Sequence, residues 1–120
     1  MQLLINTTLN NEIEIKLMKN KKLYSKLNVK AFKKQAELLL LSIDKLLLRN
    51  KLSIFDIDMI VVENSGGSFT SLRIGVITAN TLAYALKIPV QALNNSKDNY
   101  FKYKNKKFVL PVYHSDPNIG

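Results

Sequence analysis

The chain has 120 residues, 47% hydrophobic and 22% charged, with 18 basic and 9 acidic side chains for a formal net charge of +9. That length suits one domain with its own core, and this balance of apolar and charged residues argues against a disordered chain. The absence of cysteine excludes a disulfide framework, a zinc-thiolate site and a cysteine nucleophile, and the single histidine, His114, excludes a two-histidine metal pair within one chain.

The opening Gln2-Leu3-Leu4-Ile5-Asn6-Thr7-Thr8 is a short apolar run ending in polar turn formers, which predicts a buried strand whose end faces a cleft. It lacks the basic flank and long apolar stretch of a secretory leader, and no apolar run in the chain nears the ~20 residues of a membrane span, so a cytoplasmic protein without membrane contact is expected. From Glu12 to Met18, Ile13, Ile15 and Leu17 alternate with charged residues, predicting a half-buried strand. Past Lys19-Asn20-Lys21-Lys22, Leu23, Ser25 and Leu27 continue the alternation as a third antiparallel strand after a hairpin.

Lys30 to Arg49 changes period. Phe32, Ala36, Leu39, Ile43, Leu46 and Leu47 fall on one helical face, and Leu38, Leu40, Leu41 and Leu48 lie largely off it. A sheet takes the first stripe. The second is either an association face or is covered inside its own domain. Ser53 is placed to cap a short helical piece, and Asp58 to Val62 reads as a compact buried strand. The glycine segment from Glu63 leads into a second apolar helix, Phe69 to Leu86, with Ser68 as its N-cap and Phe69, Leu72, Val76, Leu82, Ala83 and Leu86 as apolar positions. Ser71, Gly75, Thr78, Ala79 and Ala83 form a strip of small side chains along which another helix can approach closely. Ile88-Pro89-Val90 predicts a further strand.

Residues Asn94 to Asn99 read as a loop, Tyr100 to Tyr103 and Phe108 to Tyr113 as two short strands around Lys104 to Lys107, and His114 to Gly120 as a tail. The order strand-strand-strand-helix-strand-helix-strand predicts an α/β fold: a ribonuclease H-like or actin-like half-domain, with a mixed sheet and two long apolar helices.

The motifs for chemistry are sparse. Ser65-Gly66-Gly67-Ser68 has the strand-turn-helix setting of a phosphate loop but neither a Walker ending nor a third glycine, so a tight structural turn is the stronger reading. Glu12 with Glu14, and Asp56 with Asp58 and Glu63, are the candidate carboxylate groupings, and solvated surface acids explain them better than acid-base catalysis. Asn6 stands at a strand end where nucleotide-cleaving folds place a metal-binding aspartate, and an amide binds a divalent ion poorly. His114, Ser115 and Asp116 are sequence neighbours, not a triad. Eight lysines lie between Lys16 and Lys34 and five between Lys97 and Lys107. This charge fits an acidic partner or ordinary lysine-rich surface. The interleaved Tyr100-Phe101-Lys102-Tyr103-Lys104 and Lys106-Lys107-Phe108 fit RNA contact or a lysine-protected hairpin edge.

Ser68-Phe69-Thr70, Leu72-Arg73-Ile74-Gly75 and Ala79 resemble the Gly-Pro-Gly-Ser-Phe-Thr-Gly-Leu-Arg-Ile-Gly pattern of the TsaB family, which acts in threonylcarbamoyladenosine formation on tRNA. The resemblance extends from about residue 2 to residue 92, through Leu52 to Val62 and forward to Leu86-Lys87-Ile88-Pro89-Val90. Asn6, Ser65, Gly66 and Ser71 depart from the family's Asp, Gly, Pro and Gly, and the usual second half is absent. The resemblance implies one TsaB-like N-terminal-type domain over 1–120, with 94–120 a shortened C-terminal extension, of the actin-like (ASKHA) superfamily. It implies a non-catalytic subunit that pairs with a TsaD-like catalytic subunit, or with itself, through the two helices. Leu38, Leu41, Ser71, Leu72, Gly75, Thr78, Ala79 and Leu82 are then the partner-binding residues, and Ser65, Gly66, Gly67, Ser68, Phe69, Thr70 and Arg73 the motif loop. No metal site or cofactor is expected in this chain, because ATP and metal belong to the partner. The alternatives are a nucleotide-binding or peptidase-like enzyme of the same superfamily and a basic tRNA-binding module.

Overall fold

The structure, a computed structural model, describes residues 1–31, 33–94 and 100–113. Three strands open the chain, β1 (Gln2–Asn6), β2 (Glu12–Lys19) and β3 (Lys22–Lys30). Their alternation decides their faces: Leu3, Ile5, Ile13, Ile15 and Leu17 are buried, whereas Glu12, Glu14 and Lys16 point to the other side. Asn20 and Lys21 join β2 to β3 with φ of 52° and 65°, the left-handed pair whose twist suits a two-residue hairpin turn.

β3 runs on through Lys30, where the helical pattern was expected to begin. Glu12 pairs with Lys30, and the Ala31 amide donates to the Asn11 carbonyl at 2.9 Å, so the ladder holds the chain extended. Helix α1 therefore spans Gln35–Arg49. Its inner face carries Leu39, Ile43, Leu46 and Leu47 as expected, but Gln35 and Ser42 are buried there and Ala36 is exposed. Phe32, expected on that face, lies outside the described residues.

Strand β4 (Met59–Val62) pairs parallel to β1, helix α2 (Phe69–Leu86) follows, and β5 (Val90–Ala92) pairs parallel to β4. The sheet order is β3-β2-β1-β4-β5. Both crossovers, β3-α1-β4 and β4-α2-β5, step in the same direction across the sheet, so the right-handed preference puts both helices on one face. Beneath them the register aligns Leu17, Leu3, Ile60 and Val90 in one row and Ile15, Ile5, Val62 and Ala92 in the next. Covering each of the leucine, isoleucine and valine side chains stabilises the fold by roughly 1.5–3 kcal/mol. The opposite sheet face carries Asn6, Glu14, Lys16 and Glu63, polar enough to meet water.

The C-terminal segment forms a separate hairpin, β6 (Tyr100–Tyr103) and β7 (Lys106–Val109). Lys104 and Asn105, with φ of 50° and 63°, make another two-residue turn, so β7 begins at Lys106 rather than at the expected Phe108. From the last residue of β7 onward the chain is pinned by two asparagines. The Val109 amide donates to Asn80 Oδ1 at 2.9 Å, and Asn80 Nδ2 donates back to the Val109 carbonyl at 2.8 Å. Asn64 Nδ2 donates to the Leu110 carbonyl at 2.9 Å, while the Val112 amide donates to the Asn64 carbonyl at 2.7 Å. Val109 is fully buried as a result.

Candidate partner-binding site

The glycine segment links the end of β4 to α2. Gly66 and Gly67 have φ of 89° and 69°, in the left-handed region. A Cβ on Gly67 would sit 2.5 Å from the Thr8 carbonyl oxygen, so the approach of the β1–β2 connection demands glycine there. Ser68 Oγ accepts from the Ser71 amide at 3.1 Å and caps α2.

Ser71 is a buried hub. Its hydroxyl accepts from Ser68 Oγ at 2.8 Å and from Gln35 Nε2 of α1 at 3.2 Å, and its carbonyl accepts from Thr7 Oγ1 of β1. These bonds satisfy Thr7, Gln35 and Ser71 inside the fold and tie three elements together. At Gly75 a Cβ would overlap the Thr7 hydroxyl. The close approach that the small strip was expected to offer to another protein is thus made by this chain's own β1 and α1. Ser71, Leu72, Gly75 and Ala79 are buried within the fold and present no surface to a partner, which corrects that part of the expectation. Thr78 and Leu82 are half-buried on α2, and Leu38 is half-buried on α1.

The motif's remaining members have other work. Ser65 Oγ donates to Glu63 Oε1 at 3.0 Å, and Ser65 bridges to Val112. Phe69, Thr70 and Arg73 are exposed at the start of α2. The Phe69 ring stacks on Tyr113 with centroids 4.4 Å apart, and the Arg73 guanidinium lies 5.3 Å from the Phe69 centroid. Sequence reasoning did not find Asn64, Asn80 or Tyr113. The available signal was an asparagine within an otherwise apolar helix, which needs a partner for both ends of its amide.

At the strand ends, Asn6 Oδ1 accepts from the Thr8 amide at 2.8 Å and from Thr8 Oγ1 at 2.6 Å, so its amide closes a turn. The cavity beside it, lined by Asn6, Glu14, Lys16 and Glu63 among others, is about 30 Å³. That is room for about one water. Glu14 beside it pairs with Lys16 at 3.4 Å, and Asp56, at the far end of the sheet, completes a capping box with Ser53. Among the described residues no group of three or more His, Asp or Glu gathers as a metal site, and no helix is long and apolar enough to cross a membrane. His114, Ser115 and Asp116 lie outside the described residues.

The outer side of the helical layer is different. Leu41 and Leu48 of α1 are 65% and 67% exposed, and Ile77 of α2 is 58% exposed. Leu41 and Leu48 lie two turns apart on one line of α1. Thr78 and Leu82 lie on the α2 flank that carries Ser71, the flank joined to α1 through Gln35. Among the described residues no element covers Leu41, Leu48 or Ile77, the exposed aliphatic side chains of the outer helical layer.

A mixed five-stranded sheet with both helices on one face defines an actin-like, ASKHA-type layer. A family model for TsaD, tRNA N6-adenosine threonylcarbamoyltransferase, matches residues 29–107, and the chain belongs to this family. In structure it is similar to YeaZ from Pseudomonas aeruginosa, with a TM-score of 0.69 and 17% identity over 96% of this chain and 69% of that one. It is also similar to a protein described as uncharacterized with similarity to peptidase YeaZ from Pseudomonas aeruginosa. There the TM-score is 0.69 and the identity 16%, over 92% of this chain and 63% of the other. The chain therefore spans 69% and 63% of the lengths of these proteins. Since YeaZ is a TsaB, the TsaB-type resemblance is borne out at the level of the fold. Among curated proteins no match was found.

Proposed function

We propose that this chain is a non-catalytic partner of a TsaD-like subunit in forming N6-threonylcarbamoyladenosine in tRNA, and that it pairs through the outer sides of α1 and α2. The exposed aliphatic ridge of Leu41, Leu48 and Ile77 carries the reading. The inner sides of both helices are already filled by the sheet, and among the described residues nothing takes these side chains out of water, which supports a second molecule as their cover. Leu38, Thr78 and Leu82 border the same ridge and are its natural rim. The cavity at the strand ends, about 30 Å³, leaves no room for a nucleotide at that position, and ATP and metal are assigned to the partner subunit. A ridge of exposed aliphatic side chains also suits pairing with a second copy of this chain when the partner is absent.

Size measurement by light scattering, with and without a TsaD-like subunit, tests the reading. A one-to-one complex is expected, and Leu41→Glu with Leu48→Glu should weaken it at least roughly a hundredfold while leaving the circular dichroism spectrum unchanged. A chain that ignores the partner at all concentrations overturns the proposal. Calorimetry with ATP and magnesium addresses the enzyme alternative: tight binding by the isolated chain would favour it.

A further inference from the structure

The pairing ridge leaves the β6–β7 hairpin unused. α1 meets the flank of α2 that carries Ser71, whereas the hairpin docks on the flank that carries Asn80 and Tyr84. This part of the molecule is electrostatically one-sided. From Asn64 to Ser115 the sequence has seven basic residues and one acid, Asp98.

Between β5 and the hairpin opens a cleft of about 840 Å³, lined by Lys87, Lys102, Lys106 and Lys107 together with Tyr100 and Phe108. Among the described residues none of these four ammonium groups lies within ion-pair distance of a carboxylate. Like charges gathered around one cleft repel one another, and an anion in it relieves the repulsion. The hairpin also presents aromatic rings to solvent: Phe101 is 41%, Tyr103 50% and Tyr84 47% exposed. They form a connected platform, Phe101 stacking on Phe108 with centroids 5.3 Å apart and Tyr84 lying 6.3 Å from Tyr103. Lys104 Nζ and Lys106 Nζ lie 5.4 and 5.9 Å from the Tyr103 and Tyr84 rings, so cations border the platform too.

Lysines that only guarded an edge strand would not need to line a cleft, and a partner that is both anionic and rich in exposed flat faces uses the lysines and the rings together. Duplex nucleic acid offers phosphates but hides its base faces. Unpaired nucleotides supply both a phosphate chain and free base faces. We propose that the β6–β7 hairpin binds single-stranded RNA, with bases stacked on Phe101, Tyr103 and Tyr84, phosphates beside them at Lys104 and Lys106, and the strand passing over the hairpin edge into the cleft on the other face, where Lys102 and Lys107 point. The proposal does not depend on the pairing ridge, and failure of either leaves the other standing.

The test is fluorescence anisotropy of the full chain with a labelled oligoadenylate of about 12 nucleotides, against a duplex RNA of the same length. The single strand should bind more tightly, and log K should fall with log salt at a slope of about −3, as four lysine–phosphate contacts imply. Lys102→Glu with Lys107→Glu should weaken binding roughly tenfold or more, whereas Lys21→Glu with Lys22→Glu, at the β2–β3 turn, should change it by no more than about twofold. Phe101→Ala with Tyr103→Ala should weaken binding by roughly tenfold and narrow the preference for single strand over duplex. A variant that loses its circular dichroism spectrum is replaced by Lys102→Gln with Lys107→Gln. The proposal is overturned by absence of binding, by equal affinity for duplex, by equal loss from the two charge reversals, or by polyglutamate competing as well as RNA.

Discussion

Helix α2 has two flanks that are filled in opposite ways. Along Ser71, Gly75, Ala79 and Ala83 it is sealed against β1 and α1 by small side chains and buried hydroxyl groups, and all four residues are buried. Along Phe69, Arg73, Asn80 and Tyr84 it is met by the C-terminal segment through one asparagine clamp and a series of half-exposed rings. The first flank has no alternative solvent, because nothing there can open without exposing the core. The second can release locally while the sheet and helices remain, since its bonds are few and lie near water. Small residues on an apolar helix therefore signal close packing without saying whether the neighbour is internal or foreign.

Substitutions should separate the two flanks. The largest effect is expected from Ala79→Glu, which buries a charge at a fully covered position. It should cost more than ~4 kcal/mol in urea unfolding, a large share of a typical domain's stability, and so report on folding rather than on pairing. Ser71→Val removes the hub oxygen that accepts from Gln35 and Ser68, leaving the buried Gln35 amide without that acceptor. A loss of about 2–3 kcal/mol is expected by the same measurement, accompanied by a lower unfolding temperature. On the other flank, Asn80→Ala deletes both bonds to Val109 and should cost about 1–2 kcal/mol. Its signature is local: faster hydrogen exchange at the Val109 amide, with the β1, β2 and β4 amides unchanged. Phe69→Ala, which removes the ring that stacks on Tyr113 and lies beneath Arg73, should cost about 0.5–1 kcal/mol and show itself mainly as quicker proteolysis near residue 113. If Asn80→Ala unfolds the whole chain, the two flanks do not differ as described.

Much of the layer was legible in the sequence. The alternation in Glu12 to Met18 and the Ser68 cap led to β2 and to the bounds Phe69–Leu86 of α2. The start of α1 was not legible, because Lys30 is held extended by pairing with Glu12, a partner far off in sequence that local helical spacing cannot weigh. The start of β7 was hidden for a related reason. Lys104 and Asn105 take left-handed backbone in a two-residue turn, and a lysine at the first position gives little sign of it. At the candidate site, the exposed Leu41 and Leu48 were visible as a surplus of leucine on α1, but Ser71, Gly75 and Ala79 could not be assigned a neighbour from helical spacing.

By itself the sequence determined the periods, caps and glycine turns, since these depend on contacts within a few residues: a three-stranded opening, two apolar helices, and the glycine turn that enters the second. Only the tertiary structure decided which apolar stripe is core and which is surface. That choice depends on the order β3-β2-β1-β4-β5 and on both crossovers falling on one face, which brings Thr7 and Gln35 onto the small strip of α2 and leaves Leu41, Leu48 and Ile77 uncovered.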